Sequence, residues 1–195
     1  MRNAWAIRVA TDEVLETSAQ LGVKDIVVYG GPGLPWSPGS AEPLSTPRAT
    51  YDDYVALRKR LESYGLRIAA FEGGFAGMTR FMDIVFGEPR RDERIEELIG
   101  EIRDMARAGV PIYGYHWMPK PVWRSANVRI RGGAEATALD LEQGDARPLG
   151  TDPLPEGADL DEERMWENLE YWIKAVTPVA EEEGIRLGIH PPDPP

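Results

Sequence analysis

The chain repeats one order of residues four times: an amphipathic helix, a glycine, an apolar residue and a short apolar strand. The glycines are Gly22, Gly65, Gly109 and Gly184, and the strands that follow them cover 26–29, 68–71, 112–115 and 187–189. Glycine accepts the left-handed conformation that ends a helix, and the next apolar residue packs back on that helix. Together with a strand at 5–9, the pattern predicts five strands that alternate with helices.

The predicted strands are almost continuously apolar, which is typical of parallel strands covered by crossover helices. Two α/β architectures fit, an open doubly wound sheet and a (β/α)8 barrel. The glycines at 30–33 and 73–74 do not form the G-x-G-x-x-G pattern of a dinucleotide-binding sheet, so the barrel is favoured. A closed barrel needs eight strands and typically about 250 residues. We therefore expect residues 1–195 to form a single, incomplete TIM-barrel domain that is truncated after its fifth strand.

The segment 119–160 interrupts the alternation, because it is rich in Gly, Pro, Arg and Asp and shows little periodicity. Loops this long inside compact domains are usually functional or disordered. The segment follows a predicted strand, and in a barrel the loops after the strands form the active-site face. We therefore predict that 119–160 is a long loop inserted on that face.

Charge and composition narrow the classes of function. The chain has 22 Lys and Arg against 33 Asp and Glu, a formal net charge of −11. Such a surface repels phosphate backbones and anionic lipids, so neither nucleic acid nor a membrane is an expected partner. The absence of cysteine excludes a thiolate nucleophile and a disulfide framework. With no signal peptide at 1–10 and no apolar stretch of about 20 residues, we expect a soluble, cytoplasmic protein, and a homo-oligomer is left open.

Two residues near the C-terminus are candidates for a metal site. His190 follows the last predicted strand, and neutral imidazole at the mouth of a barrel is a common ligand for Mn, Fe or Zn ions. Asp193 follows closely and could be a direct ligand or a carboxylate that orients one. The alternative is a proline-rich tail, 190–195, that contains an incidental histidine.

Other candidates for substrate binding stand at the ends of strands or in the long loop. Glu72 ends the third strand, where it could act as an acid, a base or a ligand. His116 could contact substrate or metal, or be a core histidine with a satisfied hydrogen bond. Trp117 could form an apolar wall against a sugar or simply pack the loop. Arg124 and Arg131 could bind a carboxylate through paired hydrogen bonds, or belong to a solvated loop.

The letters W-E-N-L-E-Y-W at 166–172 lead to H-P-P-D-P-P at 190–195. This resembles the middle of the mannonate dehydratase family, in which a W-E-N-L-E-Y-F helix leads to H-P-D-D-P-P. The stretch 109–119 resembles that family's A-G-I…Y-N-F-M-P strand, and W-R-S at 123–125 resembles its W-T-R-T loop. The resemblance spans most of the chain, and its most specific part is the last thirty or so residues.

The resemblance implies a xylose-isomerase-like TIM barrel and a divalent metal, Mn²⁺ or Fe²⁺. It implies loss of water from D-mannonate, a small sugar acid, to give 2-keto-3-deoxy-D-gluconate in hexuronate catabolism. The resemblance assigns a catalytic acid-base role to no residue of this chain. It implies that the family's acid-base groups lie mainly beyond Pro195, on later strands.

The resemblance also assigns roles to residues of this chain. His190 matches the family's metal-binding histidine, whereas the other metal ligands belong to later strands. Arg124 would help to hold the substrate carboxylate, and His116 would contact a substrate hydroxyl. His116 stands where the family often has Asn, and Pro192 replaces the first Asp of the terminal motif.

Two further hypotheses stay open beside the dehydratase. A sugar isomerase or epimerase can use the same barrel, because a fold does not determine a reaction. An inactive barrel fragment is the other, since one histidine is too few ligands for tight metal binding and an open barrel exposes strand edges. We expect the isolated chain to be without turnover even though the family is enzymatic.

Overall fold

The computed structural model describes residues 3–29, 49–73, 78–117, 123–140, 142, 147–148 and 161–191. The helices are α1 (Asp12–Gln20), α2 (Tyr51–Ser63), α3 (Met78–Val85), α4 (Arg91–Arg107) and α5 (Glu162–Glu183). The long strands are β1 (Ala4–Ile7), β2 (Asp25–Tyr29), β3 (Arg67–Glu72), β4 (Ile112–His116) and β9 (Arg186–His190). The short strands are β5 (Trp123–Arg124), β6 (Val128–Arg129), β7 (Glu135–Ala136) and β8 (Arg147–Pro148).

The five long strands form one sheet in the order β1-β2-β3-β4-β9, and every neighbouring pair is parallel. Long strands that follow one another in sequence are therefore neighbours in space, with helices as the crossovers between them. This arrangement confirms the five strands and the parallel α/β class that the apolar pattern predicts.

Alternate residues of each strand face opposite sides of the sheet, and the two sides differ in burial. On β4, Tyr113 and Tyr115 are buried against the helices, whereas Gly114 and His116 are only half-buried. The helix side holds a single apolar core to which all five long strands or the residues beside them contribute. We call the other side the open face; at the carboxyl ends of the strands it carries Tyr29, Glu72, Gly114, His116 and His190.

The helix boundaries follow local signals in the sequence. Thr50 and Asp53 form the predicted capping box, with the Thr50 backbone N–H donating to Asp53 Oδ2 at 2.8 Å. Asp161 caps α5 by accepting a hydrogen bond from the Arg164 backbone N–H at 2.8 Å. Gly184 ends α5 in the left-handed conformation, with φ of 69°. Each helix end sets the direction in which the chain enters or leaves the helix, so that the following strand can join the sheet.

The segment after β4 contains two small antiparallel pairs that its sequence did not indicate. Strand β5 pairs with β8, and β6 pairs with β7. The Ser125 hydroxyl donates to the Asp140 carbonyl at 3.0 Å and accepts from the Asp140 backbone N–H at 2.7 Å, which holds the two arms of the β6–β7 pair together.

Candidate functional site

Four polar side chains lie at one edge of the sheet, where the long parallel strands end. Tyr29 ends β2, Glu72 ends β3, His116 ends β4 and His190 ends β9. Tyr29, Glu72 and His116 each follow a buried residue, and His190 is the register partner of His116, so all four lie on the open face. The carboxyl ends of parallel strands are the usual place for ligand sites in α/β folds. We call this group the strand-end cluster.

Glu72 and Tyr29 form one half of the strand-end cluster. The two residues are register partners on β2 and β3, and the Tyr29 hydroxyl donates a hydrogen bond to the Glu72 carboxylate. Burial, followed by the charge and hydrogen bond of Glu72, raises the pKa of Tyr29, while the nearby Arg8 cation acts in the opposite direction. Arg8, Tyr29 and Glu72 thus bring a cation, a hydroxyl and a carboxylate to the same edge.

A glycine makes room for the Glu72 side chain. Gly114 is the register partner of Glu72 on β4, and a Cβ atom at Gly114 would lie 3.3 Å from both Cβ and Cγ of Glu72. That separation is tighter than ordinary van der Waals contact. The Glu72 side chain therefore lies directly across Gly114, toward the strand that ends in His116.

His116 and His190 form the other half of the cluster. They are register partners at the ends of β4 and β9. Adjacent strands lie about 4.8 Å apart, so two imidazoles on the same face at the same level are neighbours. Burial lowers the pKa of His116 below its ordinary value of 6.5, and the nearby His190 lowers it further. His116 is therefore neutral at pH 7 and keeps a nitrogen lone pair.

The geometry of His190 also leaves a nitrogen lone pair available. Its Nδ1 lies 2.8 Å from the backbone carbonyl oxygen of Pro191. A carbonyl oxygen can only accept, so Nδ1 carries the hydrogen in this bond and Nε2 is left as an acceptor. Metal-binding histidines commonly donate their second ring N–H to a carbonyl in this way. The exposed His190 ring thus fits a divalent metal ion.

The other predicted site residues lie elsewhere. Trp117 is buried on the helix side, with its ring 5.7 Å from Phe81 and 5.6 Å from Trp172. These contacts are those of a core residue, whereas the sequence left open an apolar wall against a sugar or packing of the loop. Arg124 is half-buried on β5, and Arg131 is exposed in the turn between β6 and β7, so neither arginine belongs to the five-stranded sheet.

The last four residues of the chain, which include Asp193 and Pro195, lie outside the described residues. The role of Asp193 therefore stays a prediction, as does the expectation that the catalytic acid-base groups lie mainly beyond Pro195. Within the described residues, no three His, Cys, Asp or Glu side chains come close enough together to enclose a metal ion. The strand-end cluster therefore supplies a pair of imidazoles rather than a full set of protein ligands.

Sequence reasoning missed Tyr29 as a member of the cluster and Arg8 as a cation near it. Tyr29 ends an apolar run and so stands at a predicted strand end, whereas Arg8 lies within the predicted strand 5–9 and follows β1 in the structure. The position of Tyr29 was the available signal, and it becomes informative only once the register of β2 and β3 is known.

The family model and the curated relatives that match this chain indicate the same family. The family model for D-mannonate dehydratase (UxuA) matches residues 45–154 and 151–195. A curated mannonate dehydratase from Streptococcus pneumoniae (strain 70585) is 31% identical over 167 residues, which cover 74% of this chain and 44% of that protein. One from Streptococcus equi subsp. zooepidemicus is 30% identical over 165 residues, with the same coverage. The chain thus spans less than half the length of these relatives.

Solved structures agree on the fold. The crystal structure of mannonate dehydratase from Streptococcus suis serotype2 matches with a TM-score of 0.74 and 29% identity, covering 100% of this chain and 54% of that one. D-psicose 3-epimerase from Clostridium cellulolyticum H10 matches with a TM-score of 0.54 and 14% identity, covering 96% and 51%. These matches confirm the predicted parallel α/β fold of the TIM-barrel class, and this chain covers about half of each of the two neighbours. Among the described residues, no helix has the length and apolarity that crossing a bilayer requires.

Proposed function

Because the chain belongs to the D-mannonate dehydratase family, we propose that its strand-end cluster is part of a hydro-lyase site that dehydrates D-mannonate to 2-keto-3-deoxy-D-gluconate. One observation carries the proposal. His190 stands at the carboxyl end of the sheet, within the residues matched by the family model, and its Nδ1 contact with Pro191 leaves Nε2 free. The proposed role is in hexuronate catabolism, and a cytoplasmic location fits a chain without cysteine.

The metal that we propose is Mn²⁺ or Fe²⁺, held by His190, with Asp193 as a further carboxylate nearby. Imidazole nitrogen suits both ions. When bound, the ion supplies a Lewis acid for the carboxylate of the sugar acid, which makes the neighbouring carbon more acidic.

The overall reaction sets what the protein must do. The C2–H bond of the aldonate breaks, the C3–O bond breaks with the loss of water, and the resulting enol becomes the 2-keto acid. A base must accept the C2 proton and an acid must assist the departing C3 hydroxyl. A carboxylate and a hydroxyl in one hydrogen-bonded pair, Glu72 and Tyr29, can hold a sugar hydroxyl beside the site and fix its direction.

We propose that the segment 119–160 covers this site and carries Arg124 to the substrate. A guanidinium binds a carboxylate through two parallel hydrogen bonds, which suits an acid sugar in a protein with a net charge of −11. Arg124 is only half-buried, which leaves part of its side chain accessible to a ligand. Arg131 is exposed, and we propose that it makes a second, weaker contact with the substrate carboxylate.

The proposal is tested by calorimetric titration of D-mannonate into the untagged protein with Mn²⁺ or Fe²⁺ present, and again with a chelator. We expect binding that depends on the metal, is lost in His190→Ala and is weakened in Arg124→Ala. D-gluconate, which differs from D-mannonate at C2, is the matched ligand and should bind more weakly. If D-mannonate does not bind with either metal, the proposal is wrong. Formation of 2-keto acid would support the activity and contradict the expected lack of turnover.

A further inference from the structure

We propose that His116 is a second metal ligand, so that His116 and His190 bind one divalent ion between them as a two-imidazole clamp. This rests on the proposed metal site and extends it. Of the two histidines in this chain, the family resemblance assigns only His190 to the metal, and the family's other ligands belong to later strands. The sequence left open whether His116 contacts the substrate or the metal.

The first reason is register. His116 and His190 are paired across the β4–β9 ladder, and both point to the open face at the same level. Two nitrogens bound to one tetrahedral ion at about 2.1 Å lie about 3.4 Å apart. Side chains that start from adjacent strands, about 4.8 Å apart, can bring their ring tips to that separation by rotating about χ1 and χ2.

The second reason is that both rings keep a nitrogen for a ligand. His190 uses Nδ1 for the Pro191 carbonyl, which leaves Nε2. His116 lies beside Phe81, with ring centroids 6.2 Å apart, and within the described part of the chain its ring nitrogens have no hydrogen-bond partner. A half-buried imidazole without a partner loses hydrogen bonds to water, and a metal ion would replace them.

The third reason is the space beneath the two rings. The residues one level below on the same face are Gly114 and Gly188, which are also register partners. Neither has a side chain that could fill the gap between the imidazoles. Glu72 lies across Gly114, so a carboxylate stands at the level below His116, where it can accept a hydrogen bond from water on the ion.

The chain makes the test direct because it contains two histidines and no cysteine. Zn²⁺ is the probe, since it is diamagnetic and favours imidazole. The ¹⁵N-labelled, untagged protein is titrated with Zn²⁺ while long-range ¹H–¹⁵N spectra record both rings. We expect one nitrogen of each ring to shift together with the same dependence on Zn²⁺, and the shift to saturate at one ion per chain.

Substitutions complete the test. His116→Phe keeps a planar ring beside Phe81 but has no donor, and we expect it to weaken Zn²⁺ binding by roughly tenfold or more, at least as much as loss of a residue that orients a ligand. Ile112→Val, on the same face of β4, is the control and should leave Zn²⁺ affinity unchanged. Thermal unfolding of each variant without metal checks that the fold is retained.

The outcomes separate this inference from the proposed function. If only the His190 ring shifts and His116→Phe binds Zn²⁺ as the unsubstituted chain does, the clamp is wrong and the single-histidine metal site stands. If neither ring shifts at millimolar Zn²⁺, both the clamp and the proposed metal site are wrong. Coupled shifts of the two rings, together with weaker binding in His116→Phe, support the clamp even if the chain has no turnover.

Discussion

The side-chain amide of Asn168 donates a hydrogen bond of 2.9 Å to the backbone carbonyl of Val85, which is 83 positions away in the chain. Asn168 is buried on α5, and Val85 is the last residue of α3. The bond satisfies a carbonyl that the end of α3 leaves without a helical partner. It gives the Asn of the W-E-N-L-E-Y-W motif a structural role, that of fixing α5 against α3.

Asn168→Ala should lower the free energy of unfolding by about 1–3 kcal/mol, because it leaves a buried carbonyl unsatisfied and opens a small cavity. Urea unfolding followed by circular dichroism measures the change. Glu167→Ala, at an exposed position of the same helix, is the control and should stay within about 0.5 kcal/mol of the unsubstituted protein. Equal effects of the two substitutions would contradict the role of Asn168.

Gly87→Ala should be more destabilising than an alanine at an ordinary left-handed glycine. Gly87 has φ of +67°, and a Cβ atom there would lie 2.7 Å from Asn168 Oδ1. Gly22 has φ of +75°, and a Cβ atom there would have no neighbour within 4 Å among the described residues. The loss of stability in Gly22→Ala therefore measures the left-handed backbone strain alone, without a clash, and we expect it to be about 1–2 kcal/mol. The excess at Gly87 over Gly22 should disappear in an Asn168→Ala background. A persistent excess in unfolding experiments would show that the clash with Asn168 is not its cause.

Alanine should have different effects at the two paired glycines of the open face. At Gly114 the new Cβ would lie 3.3 Å from Glu72 Cβ and Cγ, whereas at Gly188 the nearest atom is Ile112 Cγ2 at 3.7 Å. We expect Gly188→Ala to be neutral or to stabilise by about 0.5–1 kcal/mol, since glycine is costly inside a strand. Gly114→Ala should be less stable than Gly188→Ala and should displace Glu72. Thermal unfolding and a crystal structure of Gly114→Ala check both effects.

Tyr54→Phe should destabilise the core by about 1–3 kcal/mol. The Tyr54 hydroxyl donates a hydrogen bond of 2.5 Å to Oε1 of Glu101, and both residues are fully buried. Loss of the hydroxyl removes a polar contact from a carboxyl group that is shielded from solvent. The control is Tyr171→Phe, whose hydroxyl bonds Asp92 at 3.0 Å on the surface and should cost under about 1 kcal/mol. Urea unfolding of both variants measures the two changes in the free energy of unfolding.

Alkaline pH should unfold the protein through its buried tyrosines. Burial, and then Glu101, raises the pKa of Tyr54 well above its ordinary value of 10.0, and the same two causes raise the pKa of Tyr113. The unfolded chain therefore releases these protons first, so the free energy of unfolding falls as pH rises above about 10. Urea midpoints between pH 9 and 11 measure the decline. Tyr113→Phe should make the urea midpoint fall less steeply with pH. An unchanged pH dependence in this variant would contradict the role of the buried Tyr113 hydroxyl.

Much of the fold is predictable from the sequence because its signals are local. The glycines after the helices, the capping box of Thr50 and Asp53, and the Asp161 cap each act within one turn of helix. The apolar runs identify the five long strands for the same reason, since burial on both faces leaves a continuous pattern. The W-E-N-L-E-Y-W helix and the terminal motif likewise identified the family, because they are short contiguous stretches.

The candidate site depended on long-range pairing, which sequence patterns did not specify. Alternation along β4 puts His116 on the open face and Trp117 in the core, so one step along the chain separates a candidate ligand from a packing residue. The partnership of His116 with His190, and that of Tyr29 with Glu72, follows from the register between strands. By itself the sequence determined the five long strands and the helix ends that have local signals, and it placed polar residues at the ends of those strands. The tertiary structure decided which of those residues meet, because register is set by the packing of the whole sheet against its helices.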